Sequence, residues 1–262
     1  TFQAADSTRL FGKIMAAGRP LLDVVEGKMY RGVLTGLNEA FIVDQATRDR
    51  LVAEDPACVA VVRKVLRGED LRPWYQEDEG RWLIFARRGI DIDAFPTIKA
   101  HLEQFREQLE PRPADWDLSR PWPGRKPGAY QWYEIQDTVD YYDAFDEPKI
   151  FWPDIAKLPR FSWDDYGLFI NNKGYIIPHA EPSLLGILQS RVNWFAVSQL
   201  CQPLRLRAGL WQFQMFTQFT GRLPIPDAPA ADRDAIGNLA TAITAIARER
   251  YALHTRVRRR IA

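Results

Sequence analysis

Apolar positions recur along this chain with two spacings, and the switches between them mark out its elements. Leu10, Phe11, Ile14 and Met15 fall at helical intervals, which predicts a short helix over 7–17 that Pro20 stops. A continuous apolar run, Ala40-Phe41-Ile42-Val43, reads as a buried strand closing a strand-rich entry segment. Asp44 then stands as the N-cap of a helix through 47–55, and Asp55-Pro56 opens another, with proline at its first position. That second helix is expected to reach Leu66 and to bury Val59, Val62, Val65 and Leu66. Residues 68–79 have no period and predict a loop, and 81–86 a strand. Ile98, Leu102, Phe105 and Leu109 line one face of a helix over 96–109, with His101 on its solvated flank.

Between 111 and 128 the period disappears among Pro111, Pro113, Pro121, Pro123, Gly124, Pro127 and Gly128. A loop of that length is either functional or disordered. Short strands follow at 150–152, 167–170 and 175–177, with Asn172-Lys173-Gly174 as the turn of a hairpin joining the last two. Residues 182–201 form a helix burying Leu184, Leu185, Leu188, Val192 and Phe195. After Leu223-Pro224-Ile225-Pro226 one long helix is predicted from about 230 to 261. Its stripe of Ala235, Leu239, Ala242 and Ile246 suits close packing on another helix, in this chain or in a partner. Irregular strands beside segregated helices indicate an α+β fold of small irregular sheets and flanking helices, followed by the long C-terminal helix. The expected division is 1–227 and 228–262.

Composition narrows the function more by exclusion than by pointing. Hydrophobic residues make up 46% and charged residues 26%, ordinary for a globular protein. No apolar run approaches a membrane span and no signal peptide is visible, so a cytoplasmic protein with no membrane partner is expected. The chain opens on Thr1 rather than methionine, which suggests a piece of a longer polypeptide. Cys58 and Cys201 are expected to be reduced, partly buried thiols. The net charge of +1 conceals uneven patches. Arg112, Arg120, Arg125 and Lys126 outnumber Asp115 and Asp117 within 112–133, and Arg256, Arg258, Arg259 and Arg260 crowd the C-terminus.

No catalytic pattern accompanies those patches. There is no dinucleotide fingerprint, P-loop or nucleophile elbow, and His101, His179, His254 and the two cysteines lack metal-ligand spacing. Asp91 with Asp93, and Asp164 with Asp165, are acids of the kind usually found solvated in turns. No cofactor is therefore expected within this chain, and whether it is itself an enzyme stays open.

The wording of particular segments says more. Tyr30 to Asp44 (YRGVLTGLNEAFIVD), with Gly32 and Gly36 bracketing Val33-Leu34-Thr35, closely resembles the opening of the TaqI-like C-terminal specificity domain. That domain is the target-recognition half of adenine-specific DNA methyltransferases and of fused type IIG restriction–modification enzymes. Leu66 to Tyr75, Trp82 to Arg112, Tyr130 to Ile155, Ser183 to Phe195 and Leu223 to Pro226 resemble later landmarks of the same family, in the same order. The resemblance implies a sequence-specific DNA-recognition module. Its partners would be double-stranded DNA and an upstream methyltransferase domain of the same polypeptide holding S-adenosylmethionine. The Asn/Asp-Pro-Pro-aromatic motif of base-flipping amino-methyltransferases is missing here, since neither Asp55 nor Asp154 precedes two prolines.

Base readout needs fixed donors and acceptors, and register needs phosphate contacts. The loop supplies Arg120, Trp122, Arg125, Lys126, Tyr130, Gln131 and Trp132, either as DNA-facing groups or as a proline-anchored surface packed on the body. Arg72, Trp74, Arg87 and Arg88 form a second candidate surface. Arg31, Thr35 and Asn38 at the glycine turn are further candidates, and Asn171, Asn172 and Lys173 at the expected hairpin tip form a third surface. The competing reading is a protein–protein module that docks a modification or nuclease subunit, with the C-terminal helix serving self-association or subunit pairing.

Overall fold

A computed structural model describes the backbone of residues 2–261 and the side chains of residues 6–254. Among the described residues the fold is α+β, with four small sheets, interspersed helices and a long C-terminal helix, Ala230–Ile261. One antiparallel sheet runs Tyr30–Arg31, Gly174–Pro178, Lys149–Pro153, Ser162–Asp164. A second runs Ile42–Val43, Trp82–Ile84, Val62–Leu66, Phe169–Ile170, its last pair parallel. Gln202–Arg207, Leu210–Gln214 and Ile155–Ala156 make a third, and Gly18–Pro20 pairs with Pro224–Pro226.

Two apolar cores meet at the first sheet. Side chains alternate across a strand, so Phe151 and Ile176 enter the core holding Phe41, Leu66, Ile84, Leu102 and Phe169. Ile150, Trp152, Tyr175 and Ile177 enter the other, with Leu184, Leu188, Val197 and Leu223. All five residues of Lys149–Pro153 and of Gly174–Pro178 are buried. Each fully buried large apolar side chain there contributes about 1.5–3 kcal/mol. These central strands therefore fix the geometry of whatever their ends carry.

Several expectations are corrected. Ala40 and Phe41 close a helical turn, Asn38–Phe41, and only Ile42–Val43 is strand. Asp44 does cap Gln45–Glu54, accepting from the Thr47 N–H at 2.8 Å. Asp55 caps only a 3-10 turn, Pro56–Ala60; the chain then becomes the strand Val62–Leu66, because β-branched valines crowd a helix and suit a pleated surface. Val59, expected inside, is half exposed. The helix over 96–109 is interrupted after Glu103 by a tightened turn, Phe105 N–H to Leu102 O, before Arg106–Leu109. His101 is half-buried rather than solvated, and burial lowers its pKa while its Nε2 lies 3.0 Å from Ala40 O. The helix over 182–201 is two helices, Pro182–Leu188 and Arg191–Leu200. Ser190 Oγ accepts from Asn193 N–H and caps the second, which leaves Val192 exposed. Phe169–Ile170 and Gly174–Pro178 are not a hairpin; they belong to different sheets.

Asp164 is not a solvated turn residue. It is fully buried 2.6 Å from the Lys149 ammonium and caps the Tyr166 and Leu168 N–H groups. Both cysteines are free and fully buried, and desolvation pushes the Cys201 thiol up to about 12. The C-terminal helix packs on Pro182–Leu188 through a face other than the one expected. Ile236 lies over Gly186, and Ala240 and Thr244 are buried. Ala235, Leu239, Ala242 and Ile246 face solvent. The side chains of Arg256, Arg258, Arg259 and Arg260 lie outside the described residues.

Candidate nucleic-acid interface

The site is built on the turn at 171–174. Two distant segments fit around it only because each presents a glycine. A Cβ on Gly32 would run into the carbonyl oxygens of Ile170 and Asn171, and one on Gly68 into that of Lys173. Glycine allows such backbone approach, so these positions receive protein backbone. Within the turn, Asn171 Oδ1 accepts from the Lys173 N–H at 3.1 Å, and Gly174 N–H donates to Asn171 O. From outside, Asn171 N–H donates to Leu66 O, Arg31 Nε to Asn172 O at 3.0 Å, and Asp154 N–H to Lys173 O. A turn tied from three separate segments holds Asn172 and Lys173 in fixed positions while Lys173 remains exposed.

Beside this turn opens a cleft of about 660 Å³. Arg67, Lys157, Arg160, Lys173, Arg205 and Arg207 line it, against Glu39, Glu69 and Asp154, with Asn38, Asn171 and Gln212 among its polar groups. Lys173 lies 3.7 Å from Asp154 and Arg67 lies 3.6 Å from Glu69. Lys157, Arg160, Arg205 and Arg207 have no carboxylate within 4.0 Å among the described residues. Burial, reinforced by Arg72, depresses the Arg160 pKa, so this cation sits where water compensates it poorly. Burial raises the Asp154 carboxyl, against the nearby Lys173 and Arg31 cations, which lower it. A concave wall in which six cations face three acids concentrates a positive field and attracts anions.

Several candidates drawn from the sequence lie here. Arg31, Asn38, Asn172 and Lys173 come together at or beside the cleft, while Thr35 is buried and spends its hydroxyl on Asn38 Oδ1 at 2.9 Å. Arg67, Lys157 and Arg160 were missed because isolated cations carry no pattern. The strands at 202–214 were missed too, although Leu-Arg-Leu-Arg, Ala-Gly, Leu-Trp-Gln-Phe is a period-two signal around a two-residue turn.

Most of the other candidates are turned inward. Arg125 is 4% exposed and its guanidinium donates to five backbone carbonyls, those of Thr35, Leu109, Gln131, Trp132 and Glu134. It passes Gly36, whose φ of +85° and missing Cβ make room for it, and lies 4.4 Å from the Tyr130 ring. Burial lowers its pKa to about 10. Trp132 and Tyr130 are buried, and Trp122 Nε1 donates to Glu110 O while its ring meets Trp116 edge-on. Arg88 donates to Ile135 O and Gln136 O, Arg87 covers the Tyr142 ring, and Arg72 bonds Glu77, Glu69 O and Leu71 O. Trp74, at φ +79°, packs on the second core. Of the loop's candidates, Arg120, Lys126 and Gln131 remain exposed.

Comparison with known proteins comes at this point. No family model matches the chain. Over 155 residues it is 29% identical to the type II methyltransferase M.BanIII of Aneurinibacillus aneurinilyticus, a match covering 55% of this chain and 24% of that protein. Its fold is similar to the type IIL restriction–modification enzyme MmeI, with TM-score 0.54 and 18% identity over 82% of this chain and 27% of the other. It is also similar to the type IIG restriction endonuclease BpuSI, with TM-score 0.55 and 11% identity over 92% of this chain and 28% of the other. The chain thus spans about a quarter of the length of each of these three proteins. Among the described residues no helix is long and apolar enough to cross a membrane.

Proposed function

We propose that this chain is the DNA target-recognition module of a site-specific adenine methyltransferase or type IIG restriction–modification enzyme. Residues 1–227 form the recognition unit and 228–262 a helical extension docked on it. S-adenosylmethionine would be held, and methyl transfer carried out, by segments outside these residues. The observation that carries the reading is the cleft beside the clamped 171–174 turn, where Lys157, Arg160 and Arg207 have no carboxylate within 4.0 Å among the described residues. Cations so placed suit a phosphate backbone, which supplies register and affinity without sequence information. The similarity to M.BanIII, and to MmeI, which has been captured in complex with DNA, supports the same class of ligand.

The test is duplex binding by the full-length protein over a series of salt concentrations. Each phosphate contact adds about −0.9 to the slope of log K against log salt. The reading expects a steep slope that Lys157→Ala and Arg160→Ala each reduce. A flat slope, or no binding, would sink it.

One observation favours a second reading. The exposed face carrying Leu239 and Ile246, each about two-thirds accessible, suits helix pairing with a subunit. Sedimentation at rising protein concentration separates the two, because pairing through this face requires association that Leu239→Glu abolishes.

A further inference from the structure

The strands Gln202–Arg207 and Leu210–Gln214 form a ribbon that leaves the body. Its root is fixed. Phe213 pairs with Ala156, is buried, and meets the Trp194 ring edge-on at 5.9 Å. Beyond the root the ribbon is two-stranded, and every residue from 202 to 211 is exposed. A tight turn closes its tip, with Ala208 at φ +51° and Gly209 at φ +75°. Such turns follow the natural twist of a hairpin.

The two faces differ. Arg205 stands opposite Gln212 and Arg207 opposite Leu210, and Arg205, Gln212 and Arg207 look into the cleft. Leu206 opposite Trp211 occupies the other face, 59% and 51% exposed. Arg205 Nε donates to Gln212 Oε1 at 2.7 Å, which orders both side chains before any ligand arrives. Arginine and glutamine are the side chains whose paired hydrogen-bonding groups match guanine and adenine edges in the major groove. That groove is about 12 Å wide and admits a two-stranded ribbon.

We propose that this ribbon enters the major groove of duplex DNA lying across the cleft and that Arg205 and Gln212 read base edges from it. The proposal rests on the DNA-recognition reading above and adds the element that selects sequence. Cleft cations then set affinity and register, and the ribbon sets choice.

The experiment is selection from a pool of duplexes with a randomised centre, using the full-length protein, followed by salt titration on the enriched duplex. Wild type, Arg205→Ala, Arg205→Lys, Gln212→Ala and Lys157→Ala are compared, with thermal melting as the folding control for these surface changes. Arg205→Ala and Gln212→Ala are expected to relax selection at particular positions by about 5- to 150-fold. Arg205→Lys should keep the salt slope yet lose the same selectivity, because an ammonium lacks the bidentate fork. Lys157→Ala should weaken all sequences alike. If the Arg205 and Gln212 variants enrich the wild-type sequence with wild-type strength while salt dependence persists, the ribbon is not the reader and the DNA reading stands. If wild type shows neither enrichment nor salt dependence, both fall. Unchanged selection accompanied by a Trp211→Ala change in sedimentation would make the ribbon a protein contact instead.

Discussion

The loop over 112–132 and the cleft with its ribbon over 202–214 draw on the same residue types and use them in opposite ways. In the loop, Arg125 satisfies five carbonyls, Trp132 and Tyr130 are buried, and Trp122 bonds Glu110 O. In the cleft, Lys157, Arg160 and Arg207 have no carboxylate within 4.0 Å among the described residues, and Trp211 is exposed. An arginine whose donors all meet protein carbonyls organises a fold. One whose donors are open is available to a ligand. The positions of neighbouring carbonyls, more than residue type or local charge count, decide between these roles.

That contrast can be broken most forcefully at Arg125. Arg125→Ala would strand several buried carbonyls and unpin the loop from the Thr35 turn, and we expect a loss of about 3–5 kcal/mol in urea unfolding. Arg125→Lys should recover little, since a point charge cannot span the same carbonyls. A loss under about 1 kcal/mol would return Arg125 to the pool of surface cations.

Gly68→Ala comes next. Its Cβ would meet the Lys173 carbonyl, a backbone atom that cannot swing aside. Overpacking of this kind costs about 1–3 kcal/mol. DNA affinity should fall with it, because the 171–174 turn must move. Unchanged stability and affinity would show that the turn is not clamped.

A smaller effect is expected at Asp154. Burial raises its carboxyl in the folded protein above the ordinary 3.8, so the folded state binds that proton more tightly than the unfolded chain. Its contribution to stability therefore falls as pH climbs from the unfolded carboxylate range through the raised folded value. Asp154→Asn should remove this fall and also strengthen duplex binding severalfold by deleting an acid from the cleft. Persistence of the same pH dependence in Asp154→Asn would assign it to another group.

Smallest of all should be Arg120→Ala. Arg120 is exposed and only 3.9 Å from Asp117, an ion pair of the surface kind that contributes about 0–1 kcal/mol. Stability and duplex affinity should both stay close to wild type. A large affinity loss would put the loop back at the DNA.

The sequence disclosed what local chemistry determines. The Asp44 cap, the central strands, the glycine turn and the long final helix were all visible, as was the α+β class. It hid what depends on distant partners. Val62–Leu66 looked helical behind Asp55-Pro56 until strands from 82–84 and 169–170 flanked it. Phe169–Ile170 looked like half of a hairpin, yet its neighbour in space is Val65–Leu66. Arg125 looked like a surface cation because the carbonyls it binds come from three separate places in the chain. Thr35 and Lys173 were read as possible ligand contacts from similar loop settings, and burial alone separates them. The ribbon's alternating pattern was present in the sequence but short, and its cations matter only because the 155–160 segment stands opposite.

The central claim, that DNA meets the cleft rather than the loop, is tested most directly by salt-dependent duplex binding of the full-length protein and two multiple variants. One variant carries Lys157→Ala, Arg160→Ala and Arg207→Ala; the other carries Arg120→Ala and Lys126→Ala. The cleft variant should lower the magnitude of the log K against log salt slope by about 2–3, at about 0.9 per phosphate contact, and the loop variant should leave it near the wild-type value. A slope unchanged by the cleft substitutions and reduced by those in the loop would contradict the account.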